Sequence, residues 1–203
     1  MAIHIHKNDL PEALSFGDCV AIDTETMGLN PYRDRLCLVQ LSAGDGDAHL
    51  VQIASPANDC PNLRSLLADK SVTKLFHFAR FDIASLTHGI GPVNGQIYCT
   101  KIASKLVRTY TDRHGLKDLC RELLKIEISK QQQSSDWGAC DITDEQAEYA
   151  AGDVLYLHQL RDRLDKMLDR EGRHAIAKQC FAFLPTRATL DLDGFGETDI
   201  FHH

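Results

Sequence analysis

Four carboxylates and one tyrosine are the residues of this chain whose types and spacing could do chemistry. Asp23 and Glu25 are one residue apart at the end of the apolar segment VAID (20–23). On a strand, alternation sends residues i and i+2 to the same face, so both acids would project together. A hard divalent cation wants several oxygen ligands, and such a pair supplies them from one rigid element. An acidic turn at a strand end is the simpler reading of a D-x-E taken alone. Asp82 closes the run FHFARFD (76–82) and, taken alone, reads as a helix cap or a partner of the helix macrodipole. Asp153 is harder to explain as structure. It sits deep in a helical pattern, where Asp has no capping role, and it is flanked by Ala150, Ala151 and Val154. An ionised carboxylate turned toward that interior needs a partner such as a metal. Tyr149 lies four residues earlier and shares a helix face with Asp153.

The elements that must carry these residues follow from periodicity. Segments 20–23, 36–41, 49–53 and 72–78 read as strands, with GDGD (44–47) as a hairpin turn and 97–100 as a short fifth strand. A helix is expected near 62–68 and another over 80–88, ended by Gly89. From Lys101 onward the spacing turns helical, over 101–108 and again over 115–125. The longest helix is expected from Thr143, where Thr-Asp-Glu-Gln forms a capping box, to about Glu171. A last helix over 173–183 should end before Pro185. Strands first, then alternating helix and strand, then helices describe an α/β fold with a mixed sheet flanked by helices.

Composition narrows the function classes. The 203 residues suit one domain, 1–203, with 43% apolar and 25% charged residues. No apolar run is long enough for a membrane span, and the start MAIHIHKNDL lacks the layout of a secretory leader, so a cytoplasmic protein is expected. Seven scattered cysteines without a C-x-x-C pair point to reduced thiols rather than a disulfide framework or a zinc site. A net charge of −7 argues against affinity gained by coating a long duplex with cations. It leaves room for a carboxylate site whose metal ions reverse the local field.

Taken in order, DTETMGL (23–29), FHFARFD (76–82) and YAAGD (149–153) resemble the three exonuclease motifs of the DEDD superfamily. The last is the tyrosine subtype, because the histidine subtype would place His where Glu148 stands. KIASKL, HGLKDLCRELL and KQQQSSDW resemble the ribonuclease D branch, and the likeness spans about 19–165. The length, RTYTDRHGLKDLC and the ending LPTRATLDL…DIF look like the compact bacterial nanoRNase C family, which degrades very short oligonucleotides. The resemblance implies a ribonuclease H-like fold and a 3′→5′ exonuclease acting on short oligoribonucleotides. It also implies two divalent ions (Mg²⁺ or Mn²⁺) and a ring-shaped homo-oligomer, an octamer in that family, with 184–203 as a candidate interface. Asp23, Glu25 and Asp153 would hold the ion carrying the attacking water. Asp23 would bridge to a second ion held by Asp82, and Tyr149 would orient the water. Leu29 occupies the family position that wedges between terminal bases, against the alternative of a core leucine.

His77 could contact substrate or be a satisfied structural histidine, and Arg80 could reach phosphate or cap a carboxylate. Arg108, Tyr110, Arg113 and His114 form a basic–aromatic stretch suited to phosphate and stacked bases, or to a loop or subunit contact. Lys130, Gln132 and Ser134 lie in a polar loop before Trp137, itself read as half-buried structure before base platform. Two rival functions stay open: a DNA-directed 3′→5′ exonuclease, and a non-catalytic nucleic-acid-binding module of the same fold.

Overall fold

The structure, a computed structural model, describes residues 2–54, 59–128, 131–132 and 135–203. Its centre is a six-stranded sheet built from β1 (Ile3–Lys7), β2 (Cys19–Thr26), β3 (Leu36–Ser42), β4 (Ala48–Gln52), β5 (Thr73–Phe76) and β6 (Ile97–Cys99). The strand order is β1-β4-β3-β2-β5-β6. The β2–β3 and β3–β4 pairs are antiparallel; β1–β4, β2–β5 and β5–β6 are parallel, so the sheet is mixed.

Helices α1 (Pro61–Ala68), α2 (Ala79–Gly89), α3 (Thr100–Val107), α4 (Leu116–Leu119), α5 (Asp144–Leu155), α6 (Leu157–Arg170) and α7 (His174–Leu190) surround the sheet. Residues 120–124 continue α4 as a π-helical turn, and 191–195 continue α7 in the same way. Strand β3 is buried throughout, as its apolar run LCLVQL requires of a strand covered on both faces.

Four features differ from the sequence expectations. The N-terminal IHIHK is a sixth strand; its Ile–His alternation was a period-two signal, carried by an edge strand too polar to stand out. Strand β2 runs on to Thr26, so Asp23 and Glu25 stand within it rather than at its tip. The long helix expected over 143–171 starts as foreseen, with the Thr143–Gln146 capping box intact, but breaks at Tyr156 (φ −105, ψ −2). One straight rod of that length would run ~40 Å; the break lets α5 lie on β2, β3 and β4 while α6 packs on α3. Pro185 does not stop the last helix, which runs through it to Leu190. The proline removes one backbone donor, at a cost on the order of 3 kcal/mol in an isolated helix. Burial of Phe181, Leu184 and Ala188 along one face offsets that loss.

None of the seven cysteines is in a disulfide; Cys140 is exposed, Cys180 half-buried and the other five buried. Beyond α7 the chain leaves Phe195, Ile200 and Phe201 exposed. No helix among the described residues is long and apolar enough to cross a membrane.

Candidate active site

Strand lengths create the site. β2 pairs with β5 from Cys19–Thr73 to Ala21–Leu75, and β5 ends one residue later at Phe76. β2 continues for five more residues, so beyond Ala21 that side of the strand faces a crevice instead of a neighbour. A crevice beyond the carboxyl ends of parallel strands is where open α/β sheets place ligands. The first turn of α2 enters it and brings Asp82. From the face covered by α5, Asp153 and Tyr149 reach the same place.

One oxygen each from Asp23, Glu25 and Asp153 lies within 4.8 Å of the others. Asp82 is buried beside this trio and is held by Thr24, whose hydroxyl donates to Oδ1 at 2.7 Å. Asp23 accepts from Gln40 Nε2 at 3.3 Å, across the β2–β3 register in which the two residues are partners. The Tyr149 hydroxyl donates to Asp153. Behind Tyr149 stands Trp137, its ring centroid 6.1 Å away. Trp137 is buried against Cys37, Leu38 and Leu50, so it is scaffold rather than a half-buried surface group.

The electrostatics are those of acids crowded together in a half-buried cleft. Burial, then Asp82, Asp153 and Glu25, push the Asp23 carboxyl well above the usual range. Burial and the charges of Asp153 and Asp82 raise Glu25 to about 9. Burial takes Asp82 to about 7, against the opposing hydrogen bond from Thr24. Burial and the adjacent carboxylates also raise the Tyr149 phenol, which stays protonated and able to donate. Four acids that resist ionising together become mutually compatible once a divalent cation supplies the opposite charge. The donors are all hard oxygens, the type that Mg²⁺ and Mn²⁺ take. The residues present therefore fit a metal centre.

The cleft in front of the carboxylates measures about 340 Å³ and is also lined by His77, Phe78, Lys101 and Lys117. A second hollow of about 450 Å³ shares Tyr149 and Asp153 with it and includes Gln132. His77 faces the cleft with Nδ1 at 2.8 Å from Thr100 Oγ1. Beside it Phe78, expected within the strand 72–78, lies outside it, adopts a left-handed backbone (φ 71) and remains 46% exposed.

Leu29 is 89% exposed, which removes the core-leucine reading. Two expected substrate contacts, Arg80 and Arg108, are turned to other partners. Arg80 caps a carboxylate, gripping Asp191 at 2.6 and 2.7 Å. The Arg108 side chain is fully buried and bonded to Glu122, to Ser104 and to the Arg113 carbonyl, so its charge is neutralised inside the fold. Tyr110 donates to the same Glu122, and His114 Nδ1 lies 2.8 Å from Ser104 Oγ. Arg113 itself is exposed. Lys130 and Ser134 lie outside the described residues.

The sequence reading missed Thr24, Gln40, Phe78, Lys101 and Lys117. Thr24 and Gln40 did carry a signal, as polar residues within otherwise apolar strands. Phe78, Lys101 and Lys117 carried none.

A mixed sheet flanked by helices, with carboxylates converging from a central strand and two helices, defines a nuclease of the ribonuclease H-like exonuclease fold. Residues 5–169 match the 3′-5′ exonuclease family, and the chain belongs to it, on its ribonuclease D branch. Over its full length the chain is similar to Brucella melitensis NrnC. The structure with bound Mg²⁺ is 56% identical, covers 100% of both chains and has a TM-score of 0.95. The structure bound to pGG is 57% identical, covering 100% of this chain and 99% of that one, with a TM-score of 0.96. Ribonuclease D of Gluconacetobacter diazotrophicus is 34% identical over 174 residues, 86% of this chain but 44% of the relative. The chain thus spans less than half the length of that curated relative. Escherichia coli RNase D, described as an exoribonuclease involved in structured RNA processing, shares 25% identity and a TM-score of 0.72 over 84% of this chain and 45% of that one.

Proposed function

We propose that this chain is a metal-dependent 3′→5′ exoribonuclease that hydrolyses short oligoribonucleotides to 5′-mononucleotides. The observation that carries this reading is the meeting of Asp23, Glu25 and Asp153 oxygens within 4.8 Å, with Asp82 beside them. Asp23, Glu25 and Asp153 would hold one divalent ion, and Asp82 with Asp23 a second. Such a pair supplies a nucleophilic water and stabilises the departing 3′ oxygen. The chain's own groups do the rest. Gln40 and Thr24 fix the orientations of Asp23 and Asp82. Tyr149, protonated and anchored on Asp153, is placed to hydrogen-bond the attacking water and hold it in line. Among the described residues, Lys101 and Lys117 line the cleft and would offer charge to substrate phosphate.

Tyr149→Phe is expected to keep metal and substrate affinity while lowering kcat on the order of 10- to 100-fold, since an orienting hydrogen bond is lost and little else. Single-turnover rates with saturating RNA measure this. An unchanged chemical step would make Tyr149 a packing neighbour of Asp153.

The short-substrate part of the reading has two supports. The similar NrnC has been captured with pGG. An acidic chain with net charge −7 has little means to hold a long polyanion, so its affinity must come from contacts near the metals. Exposed Leu29 is available to terminal bases. Such contacts saturate within a few nucleotides, so kcat/KM should peak for RNAs of about two to five residues. Product analysis on 5′-labelled RNA and DNA from two to twenty nucleotides checks this. Turnover that climbs steadily with length, or DNA consistently preferred at equal length, would sink the short-RNA assignment and favour the DNA-directed alternative.

A further inference from the structure

The first turn of α2 carries much of the cleft: Phe78 opens the helix, Phe81 lines the wall and Asp82 stands beside the carboxylate trio. Locally this turn is held by Thr24 on Asp82 and by Lys101, 4.0 Å above the Phe78 ring, and it has no side-chain cap. Its N-cap residue is Phe78, whose side chain gives no capping hydrogen bond. Its left-handed backbone (φ 71, ψ 42) is uncommon for a bulky residue and strained. A helix start with a left-handed first residue and no side-chain cap persists only if its surroundings hold it.

The surroundings that hold it come from the far end of the chain. Arg80, on the same turn, grips Asp191 through Nε and Nη2 at 2.6 and 2.7 Å and reaches the Gly196 carbonyl at 2.8 Å. Arg187 of α7 donates to the same Asp191 carboxylate at 2.7 Å and to the same Gly196 carbonyl at 2.9 Å. The Asp191 side chain is 11% exposed and that of Arg187 18%, while Arg80 reaches them from a position 39% exposed. A two-pronged arginine–carboxylate contact is directional as well as strong, which suits it to fixing a position. Asp191 and Arg187 lie beyond the 5–169 stretch matched by the exonuclease family. Within the shared module, Asp82 is steadied by Thr24 of β2. The latch acts on the same turn through the Arg80 side chain.

We propose that the Arg80–Asp191–Arg187 network is a positioning device, by which the C-terminal segment holds the first turn of α2 and thereby sets where Asp82 and Phe78 stand relative to the bound substrate. The kinetic half of this proposal rests on the exonuclease reading above; the structural half does not. A misplacement of about 1 Å at a reacting centre can cost on the order of 10²-fold in rate without loss of binding.

The test compares the full-length chain with Asp191→Asn and Asp191→Glu by hydrogen–deuterium exchange and by kinetics on short RNA with Mg²⁺. In Asp191→Asn the peptide spanning 78–86 should exchange at least ~10-fold faster, with the sheet unchanged. Its kcat should fall about 10- to 100-fold with KM within about threefold. Asp191→Glu keeps the charge and should recover most of both. Unaltered exchange over 78–86 overturns the latch whatever the activity does. Faster exchange with unchanged kcat overturns the positioning role. Loss of protection throughout the sheet, unrelieved in Asp191→Glu, makes the network general scaffold and also overturns it. Failure of the wild-type chain to cleave RNA defeats the exonuclease reading instead, and the exchange comparison still decides whether the latch holds the turn.

Discussion

Replacing Asp23 or Asp153 by Ala is expected to lower turnover at least ~10³-fold, roughly 4 kcal/mol of barrier, while the chain stays folded. Each substitution removes one of the three oxygens that converge within 4.8 Å, from a centre whose purpose is to neutralise charge as the phosphodiester breaks. The fold gives up one hydrogen bond in each case, from Gln40 to Asp23 or from Tyr149 to Asp153, and is relieved of repulsion between carboxylates. Asp23 is penalised by burial and by three neighbouring carboxylates, so its loss removes repulsion rather than a stabilising pair. Thermal unfolding in chelator should therefore give a midpoint no lower than that of the unsubstituted chain. This separates the result from misfolding. Retention of more than a tenth of the original kcat in either variant would be incompatible with the proposed centre.

Chelation should have an effect of the same size. Excess EDTA is expected to abolish hydrolysis, and Mg²⁺ or Mn²⁺ to restore it. Ca²⁺ should bind the same carboxylates yet support little chemistry, because its larger and looser coordination shell misplaces water and phosphate. The expectation rests on the donor set: four carboxylates from β2, α2 and α5, three of them kept from ionising easily by one another and by burial. A bound cation removes the repulsion that raises them, so metal affinity and the acidity of these groups are two views of one interaction. Initial rates across a metal titration, started from chelator-treated protein, give the measurement. Full activity in chelator would exclude the two-ion mechanism.

What the sequence determined by itself was local. Period-two alternation on β2 put Asp23 and Glu25 on one side, and helical spacing put Tyr149 and Asp153 on one face; both relations hold in the structure. An Asp deep in an apolar helix stripe pointed to a carboxylate turned inward, which the structure places half-buried at the cleft, and the Thr143–Gln146 box announced where its helix begins. These patterns are legible because strand and helix geometry fix the direction of each Cβ from sequence spacing alone.

The tertiary structure decided what lies far apart along the chain. That Asp82 can join the others depends on β5 ending before β2 does, a difference in strand lengths that opens the crevice. That α5 and α6 are two helices depends on what each must cover, since the apolar stripe reads continuously through Tyr156. The long cations were the least legible. Arg80 finds its carboxylate 111 residues away, and Arg108 turns inward to Glu122. A flexible, fully charged side chain goes to whichever partner the fold brings within reach. Spacing along the sequence constrains that choice hardly at all, whereas a carboxylate on a rigid strand is aimed by its own backbone.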